Sequence, residues 1–170
     1  MDAWERISAT VVAEFSDLPD LEALTQVVMR LLVAALLGGA LGLQREYHGK
    51  DAGVRSHMLV AIGSALFVLV PLQGGADADG LSRVIQGVVA GIGFLCAGTI
   101  LKVAGSGDEQ VRGLTTAAGI WLTAAIGVAV GLGREMTGVV CTLLALAVLA
   151  LEGPMRRLAG RPARDNSTSD

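Results

Sequence analysis

Carboxylates are missing from the middle of every long apolar run in this chain, although Asp and Glu together number 16. Proton relays and cation pathways across a bilayer usually place acids at that depth. Mg²⁺ dehydrates reluctantly and is commonly held through one or two carboxylates plus waters. Here Glu46, Asp51, Asp77, Asp79, Asp108 and Glu109 fall at the ends of the runs or between them. That weighs against a channel or transporter. Aromatics make up only 4%, no basic patch is interleaved with them, and the net charge is −3. A nucleic-acid partner is therefore not expected. The two cysteines, Cys96 and Cys141, lie inside apolar runs and supply neither a disulfide framework nor a metal pair. A Walker loop, zinc spacing and CxxC are also missing, and Gly63-Ser64-Ala65 makes no nucleophile elbow. His57 and Ser64 would stand about 10 Å apart along one helix, too far for base and nucleophile. Neither an enzyme nor a cofactor is expected, and no metal site is assigned.

What is present is apolar length. Five runs stand out, Leu24–Leu43, Met58–Leu72, Val84–Leu101, Leu114–Leu132 and Thr137–Leu151. A bilayer core about 30 Å thick takes ~17–25 helical residues to cross. The first, third and fourth runs reach that length, and the other two are slightly short. Lipid offers the backbone no hydrogen bonds, so only helices or closed barrels span it. Runs this long and without alternation read as helices. The 52% hydrophobic and 17% charged composition agrees. The fold class is therefore an all-α integral membrane protein, a bundle of about five transmembrane helices. Glycine, at 23 residues, follows no collagen period and has no linker context, so it points to close helix packing. Gly38 and Gly42, Gly87 and Gly91, and Gly127 and Gly131 recur at four-residue spacing, with Gly93 nearby. Each pair lies on one helix face and lets another backbone approach, within the bundle or in a homodimer.

Basic residues set the orientation. With the N-terminus outside, the inner segments hold nine, including Arg45, Lys50, Arg55, Lys102 and Arg112, while the outer ones hold only Arg6, Arg83 and Arg134. The excess inside favours an outer N-terminus and a cytoplasmic C-terminus. Residues 1–23 form an acidic segment without the basic start and apolar centre of a secretory signal. Within it Trp4, Ile7, Val11, Phe15 and Leu18 share one face of a short amphipathic helix, suited to a membrane surface. Residues 24–151 are the transmembrane domain. Residues 152–170, basic and then rich in Ser, Thr and Asp, read as a disordered cytoplasmic tail.

Polar residues concentrate at two levels. Arg30 sits inside the first run, where a cation snorkels or finds a partner such as Asp77, Asp79 or Glu135. Arg83 and Gln86 mark the outer end of the third run. At the inner face, the loop after the first run carries Arg45, Glu46, Asp51, Arg55 and His57, with Glu46 and Arg55 placed to pair. Arg112, Thr115 and Thr116 open the fourth run much as Arg55 opens the second.

These segments together resemble the membrane domain of the MgtC/SapB family. The matching residues are Arg30-Leu31-Leu32, then Gly38-Gly39 through Gly42-Leu43-Gln44-Arg45-Glu46, and Ala52-Gly53-Val54-Arg55-Ser56-His57-Met58-Leu59-Val60. They continue with Arg83, Gln86 and Gly91-Ile92-Gly93-Phe94-Leu95-Cys96-Ala97-Gly98, then Val111-Arg112-Gly113-Leu114-Thr115-Thr116-Ala117-Ala118 and Trp121. Gln44 stands where the family usually has Glu, Ser56 where it has Thr, and Cys96 where it has Gly. The chain resembles a short form, without the C-terminal cytoplasmic domain of better-known members. The resemblance implies a bacterial inner-membrane protein linked to growth under magnesium limitation and, in pathogens, to survival inside macrophages. It also implies a regulatory action on another membrane complex, the proton-translocating ATP synthase. The expected function is thus a modulator with the bilayer and a membrane complex as partners. The alternatives are a Mg²⁺ or other cation transporter and a structural membrane protein.

Overall fold

The computed structural model describes residues 2–16, 20–104 (backbone alone over 101–104) and 113–151. These residues form six helices, α1 (Ala3–Glu14), α2 (Leu21–Tyr47), α3 (Val54–Gln73), α4 (Ala78–Ala104), α5 (Leu114–Gly131) and α6 (Glu135–Ala150). Among them there is no strand. The architecture is an all-α membrane bundle. Four helices are long and apolar enough to cross a bilayer, over Leu21–Tyr47, Val54–Gln73, Ala78–Ile100 and Leu114–Gly131. The fifth expected run is α6, whose 16 residues reach only about 24 Å at 1.5 Å per residue. It is apolar but shorter than the other four. The tail expected over 152–170 lies outside the described residues.

Helix boundaries follow local chemistry. Asp20 caps α2, its carboxylate accepting the Ala23 amide N–H at 2.7 Å, so α2 starts three residues before the apolar run. Such a cap satisfies a backbone donor that the first helical turn leaves unpaired. The α2–α3 turn is closed by Gly49 at φ 62, a left-handed conformation that favours glycine. Gly113 at φ 87 does the same before α5, and Gly133 at φ 76 ends the short connection into α6. Pro71 lies in the last turn of α3, and the Ala76 amide reaches back to its carbonyl at 2.9 Å.

Successive helices of the bundle run antiparallel. One end, here the Arg45 end, holds the end of α2 and the starts of α3 and α5. The Arg30 end holds the ends of α3 and α5 and the starts of α4 and α6. Helix α3 packs between α2 and α5, α6 rests on α2 and α5, and α4 lies outside, mainly against α5. The main core gathers Ala34, Leu41, Ala61, Ala65, Ile126, Val130 and Ala145. A smaller one joins Ala52, Ile92, Ile120 and Ala124. Both cores use small side chains, while Leu36, Leu59, Phe67 and Phe94 are 64–80% exposed. That inversion suits lipid, which solvates leucine as well as a protein interior does and leaves close packing to hold the helices together.

Candidate functional site

At the Arg45 end, α2 enters the bundle with its last turn buried. The Arg45 side chain is 1% exposed, and its Nη2 donates to the Thr116 hydroxyl at 3.1 Å, tying α2 to the first turn of α5. His57 is fully buried on α3. Its Nδ1 lies 3.0 Å from the Gly53 carbonyl, so this nitrogen carries the proton and Nε2 is left as acceptor. Nε2 faces Gly119 of α5 and has no hydrogen-bond partner. Glu46 points the other way. Its Oε2 accepts the Val54 N–H at 3.0 Å, placing a carboxylate on the positive end of α3. The expected Glu46–Arg55 pair is replaced by this cap, because a backbone N–H at the first helical position is fixed within reach. A Cβ on Gly53 would stand 2.5 Å from that carboxylate oxygen, so glycine leaves the space Glu46 occupies.

Thus Arg45, Thr116 and His57 gather inside the bundle, with Glu46 at its rim. Asp51, Arg55 and Thr115 are exposed, and Arg112 lies outside the described residues. Beside the buried group a groove of about 350 Å³ opens between α3, α4 and α5. It is lined by Asp51, Ala52, Ser56, Val60, Leu95, Thr99 and Ile120. One carboxylate and two hydroxyls above an apolar floor can accept and donate hydrogen bonds, but they form no nucleophile–base pair.

At the other end, Arg30 reaches across from α2 to the junction of α5 and α6. Its Nη1 donates to the Gly131 carbonyl at 3.2 Å, and its Nε lies 3.7 Å from Glu135 Oε1. Of the three candidate acids, Glu135 is the one engaged. The guanidinium packs over Gly133, where a Cβ would meet Nη2 at 2.7 Å. This arginine closes the end of α5, where unpaired carbonyls concentrate negative potential.

The glycine pairs divide into two kinds. A Cβ on Gly38 would stand 2.7 Å from the His57 carbonyl oxygen, and one on Gly42 2.6 Å from Val54 Cα. Cβ atoms on Gly127 and Gly131 would collide with the Ala61 and Ala65 carbonyls. These four seat α2 and α5 against the α3 backbone. A Cβ on Gly87, Gly91 or Gly93, by contrast, would meet no other part of the bundle within 4 Å. Only 6% of the α4 span is buried, against 50% for α5. Ile92, Val88 and Cys96 turn inward, Cys96 donating to the Ala117 carbonyl at 3.2 Å. Gly87, Ala90, Gly91, Phe94, Ala97 and Gly98 recur at three- and four-residue steps on the outward face, all exposed. Arg83 and Gln86 are exposed two turns into α4, the Gln86 amide bonding Ser82 Oγ at 3.4 Å.

Several buried polar groups were not placed in the candidate cluster from the sequence. Both side-chain polar atoms of Gln44 are buried without a partner, and Thr123 and Thr142 return their hydroxyls to carbonyls of their own helices. The seven-residue spacing of Thr116 and Thr123 on α5 is the signal that places them on one face.

Comparison with known proteins adds identity to this geometry. The chain is 47% identical over 139 residues to SrpB of Synechococcus elongatus, covering 76% of each chain. It is 43% identical over 129 residues to YhiD of Escherichia coli K12, named as a proposed magnesium transporter, covering 72% of this chain and 58% of YhiD. To MgtC of Salmonella typhimurium it is 40% identical over 119 residues, 70% of this chain and 49% of MgtC. The chain therefore spans about half the length of these last two relatives. No solved structure matches. The family model for MgtC matches residues 31–158, from the turn that follows Arg30 through all five packed helices, and this multi-pass membrane protein belongs to the MgtC family.

Proposed function

We propose that this protein is a regulatory subunit-like modulator in a bacterial inner membrane, acting on another membrane complex during adaptation to magnesium limitation. The observation that carries this reading is the division of the glycines. Four of them close the bundle on itself, while those of α4 leave open an outward face on which Gly87, Ala90, Gly91, Ala97 and Gly98 surround Phe94. In lipid, such a face supports close backbone approach by another transmembrane helix. The centre of the bundle is filled by alanine and glycine contacts around Ala61 and Ala65, which favours a docking module over a transport path. The buried Arg45–Thr116 bond then ties α2 to α5 as a rigid support, with the Arg45 end at the cytoplasm as the basic residues favour. The ATP synthase membrane sector is the partner that the family resemblance favours.

The test combines function and flux. Gly87→Leu with Gly91→Leu meets open space in the isolated chain, so the variant should fold and insert normally. It should lose cross-linking to ATP synthase membrane subunits and fail to restore growth at low magnesium in a strain lacking the gene. Unchanged cross-linking and growth would sink the docking face. The name of YhiD supplies the rival reading, and Mg²⁺ flux into proteoliposomes of the purified protein decides it. Saturable flux, lost in Arg55→Ala and in Glu46→Gln, would make the protein a transporter.

A further inference from the structure

Helix α1 is the one described helix that packs against no other. Its fold is nevertheless well specified. Asp2 and Glu5 form a reciprocal capping box, the Asp2 N–H donating to Glu5 Oε2 at 3.0 Å and the Glu5 N–H to the Asp2 carboxylate, which also accepts from the Ala3 N–H at 2.9 Å. Ser8 and Thr10 return their hydroxyls to the carbonyls of Glu5 and Arg6, so both are satisfied within the helix. Trp4, Ile7, Val11 and Phe15 recur at three- and four-residue steps on one side, and all are more than half exposed. Glu5, Arg6 and Thr10 lie on the other side, while Glu14, seven residues after Ile7, borders the apolar face. Water alone does not support this arrangement, because a 12-residue helix without tertiary contacts is marginal and its aromatic face would stay hydrated.

We propose that α1 lies flat in the lipid interface at the bilayer surface where α2 enters, with Trp4, Ile7, Val11 and Phe15 buried among headgroups and upper acyl chains. Three observations select lipid as the occupant. Glu14 and Leu21 are seven residues apart, so the start of the α2 span holds the end of α1 within about 25 Å. A tether that short keeps the apolar face at high effective concentration beside the membrane. The aromatic pair at the two ends of the face suits the headgroup level, where Trp is enriched. Third, the helix carries Glu5 and Glu14 against the single cation Arg6, so anionic lipid is not attracted. Apolar burial and the tether hold the helix, and a zwitterionic surface suffices.

The chain has two tryptophans, Trp4 and Trp121. Trp121→Phe leaves Trp4 as the sole indole of the full-length protein, reconstituted in phosphatidylcholine vesicles. Trp4 emission should lie to the blue of aqueous indole. It should be quenched by lipids brominated about 5–10 Å below the headgroup boundary, the depth of interfacial helices. Water-soluble acrylamide should quench it weakly, and Ile7→Glu with Val11→Glu should restore full acrylamide quenching. Free acrylamide quenching before that change would overturn the proposal by leaving α1 in water. Shielding from both quenchers would overturn it equally, since protein rather than lipid would then cover the face. If Trp121→Phe folds poorly, the spectrum of the unaltered protein minus that of Trp4→Phe isolates the same indole.

Discussion

Replacing single glycines by alanine should separate the two kinds of glycine by the sign of the effect. At Gly127 and Gly131 the added methyl runs into the Ala61 and Ala65 carbonyls, and at Gly42 it comes to 2.6 Å from Val54 Cα. Comfortable carbon contacts begin near ~3.5 Å. The obstructing atoms are backbone and cannot swing away, so α2 or α5 must back off from α3. Overpacking costs about 1–3 kcal/mol, while alanine returns up to ~1 kcal/mol of helix propensity. A net loss of about 1–2 kcal/mol is expected for Gly42→Ala, Gly127→Ala or Gly131→Ala. On α4, a methyl added at Gly87 or Gly91 would meet no other part of the bundle within 4 Å, so only the propensity term remains. Gly87→Ala and Gly91→Ala should be neutral or more stable by up to ~1 kcal/mol. Reversible unfolding in mixed micelles, titrated with sodium dodecyl sulfate and followed by far-UV circular dichroism, measures both groups on one scale. If Gly127→Ala proved at least as stable as the unaltered protein while Gly91→Ala lost stability, the assignment of the two faces would be refuted.

The same titration tests the helix ends. Glu46→Gln keeps an oxygen for the Val54 N–H but removes the charge from the α3 terminus, and should cost about 0.3–1 kcal/mol. Glu46→Ala removes the cap as well and should cost more; equal stability for all three forms would show that the 3.0 Å contact holds nothing. At the opposite end, Arg30→Met should cost more than Glu135→Gln, because Arg30 also donates to the Gly131 carbonyl. The coupling of the two, read from a double-mutant cycle, should not exceed the ~1 kcal/mol of a half-exposed pair. Equal single-site costs would show that the carbonyl bond contributes nothing.

Apolar length and periodicity were sufficient to place a multi-pass helical protein before any coordinates. Four runs became spans and the fifth a shorter apolar helix, because length against bilayer thickness is a local property of the chain. Short-range caps were equally accessible in principle, since Asp20 and the Asp2/Glu5 box act within three residues. The glycine pairs show where sequence stopped. Gly38-x-x-x-Gly42 and Gly87-x-x-x-Gly91 have the same pattern, yet the first is pressed against α3 and the second faces outward. Spacing puts two glycines on one face of a helix; which neighbour that face meets depends on how distant helices assemble. The same reason governs the charged residues. Glu46 and Arg55 stood close in sequence, but the carboxylate found the fixed Val54 N–H, while Arg45 bridged to Thr116, 71 positions away. Elements and their capping were set by neighbouring residues, whereas partners across the bundle were decided by backbone approach in three dimensions.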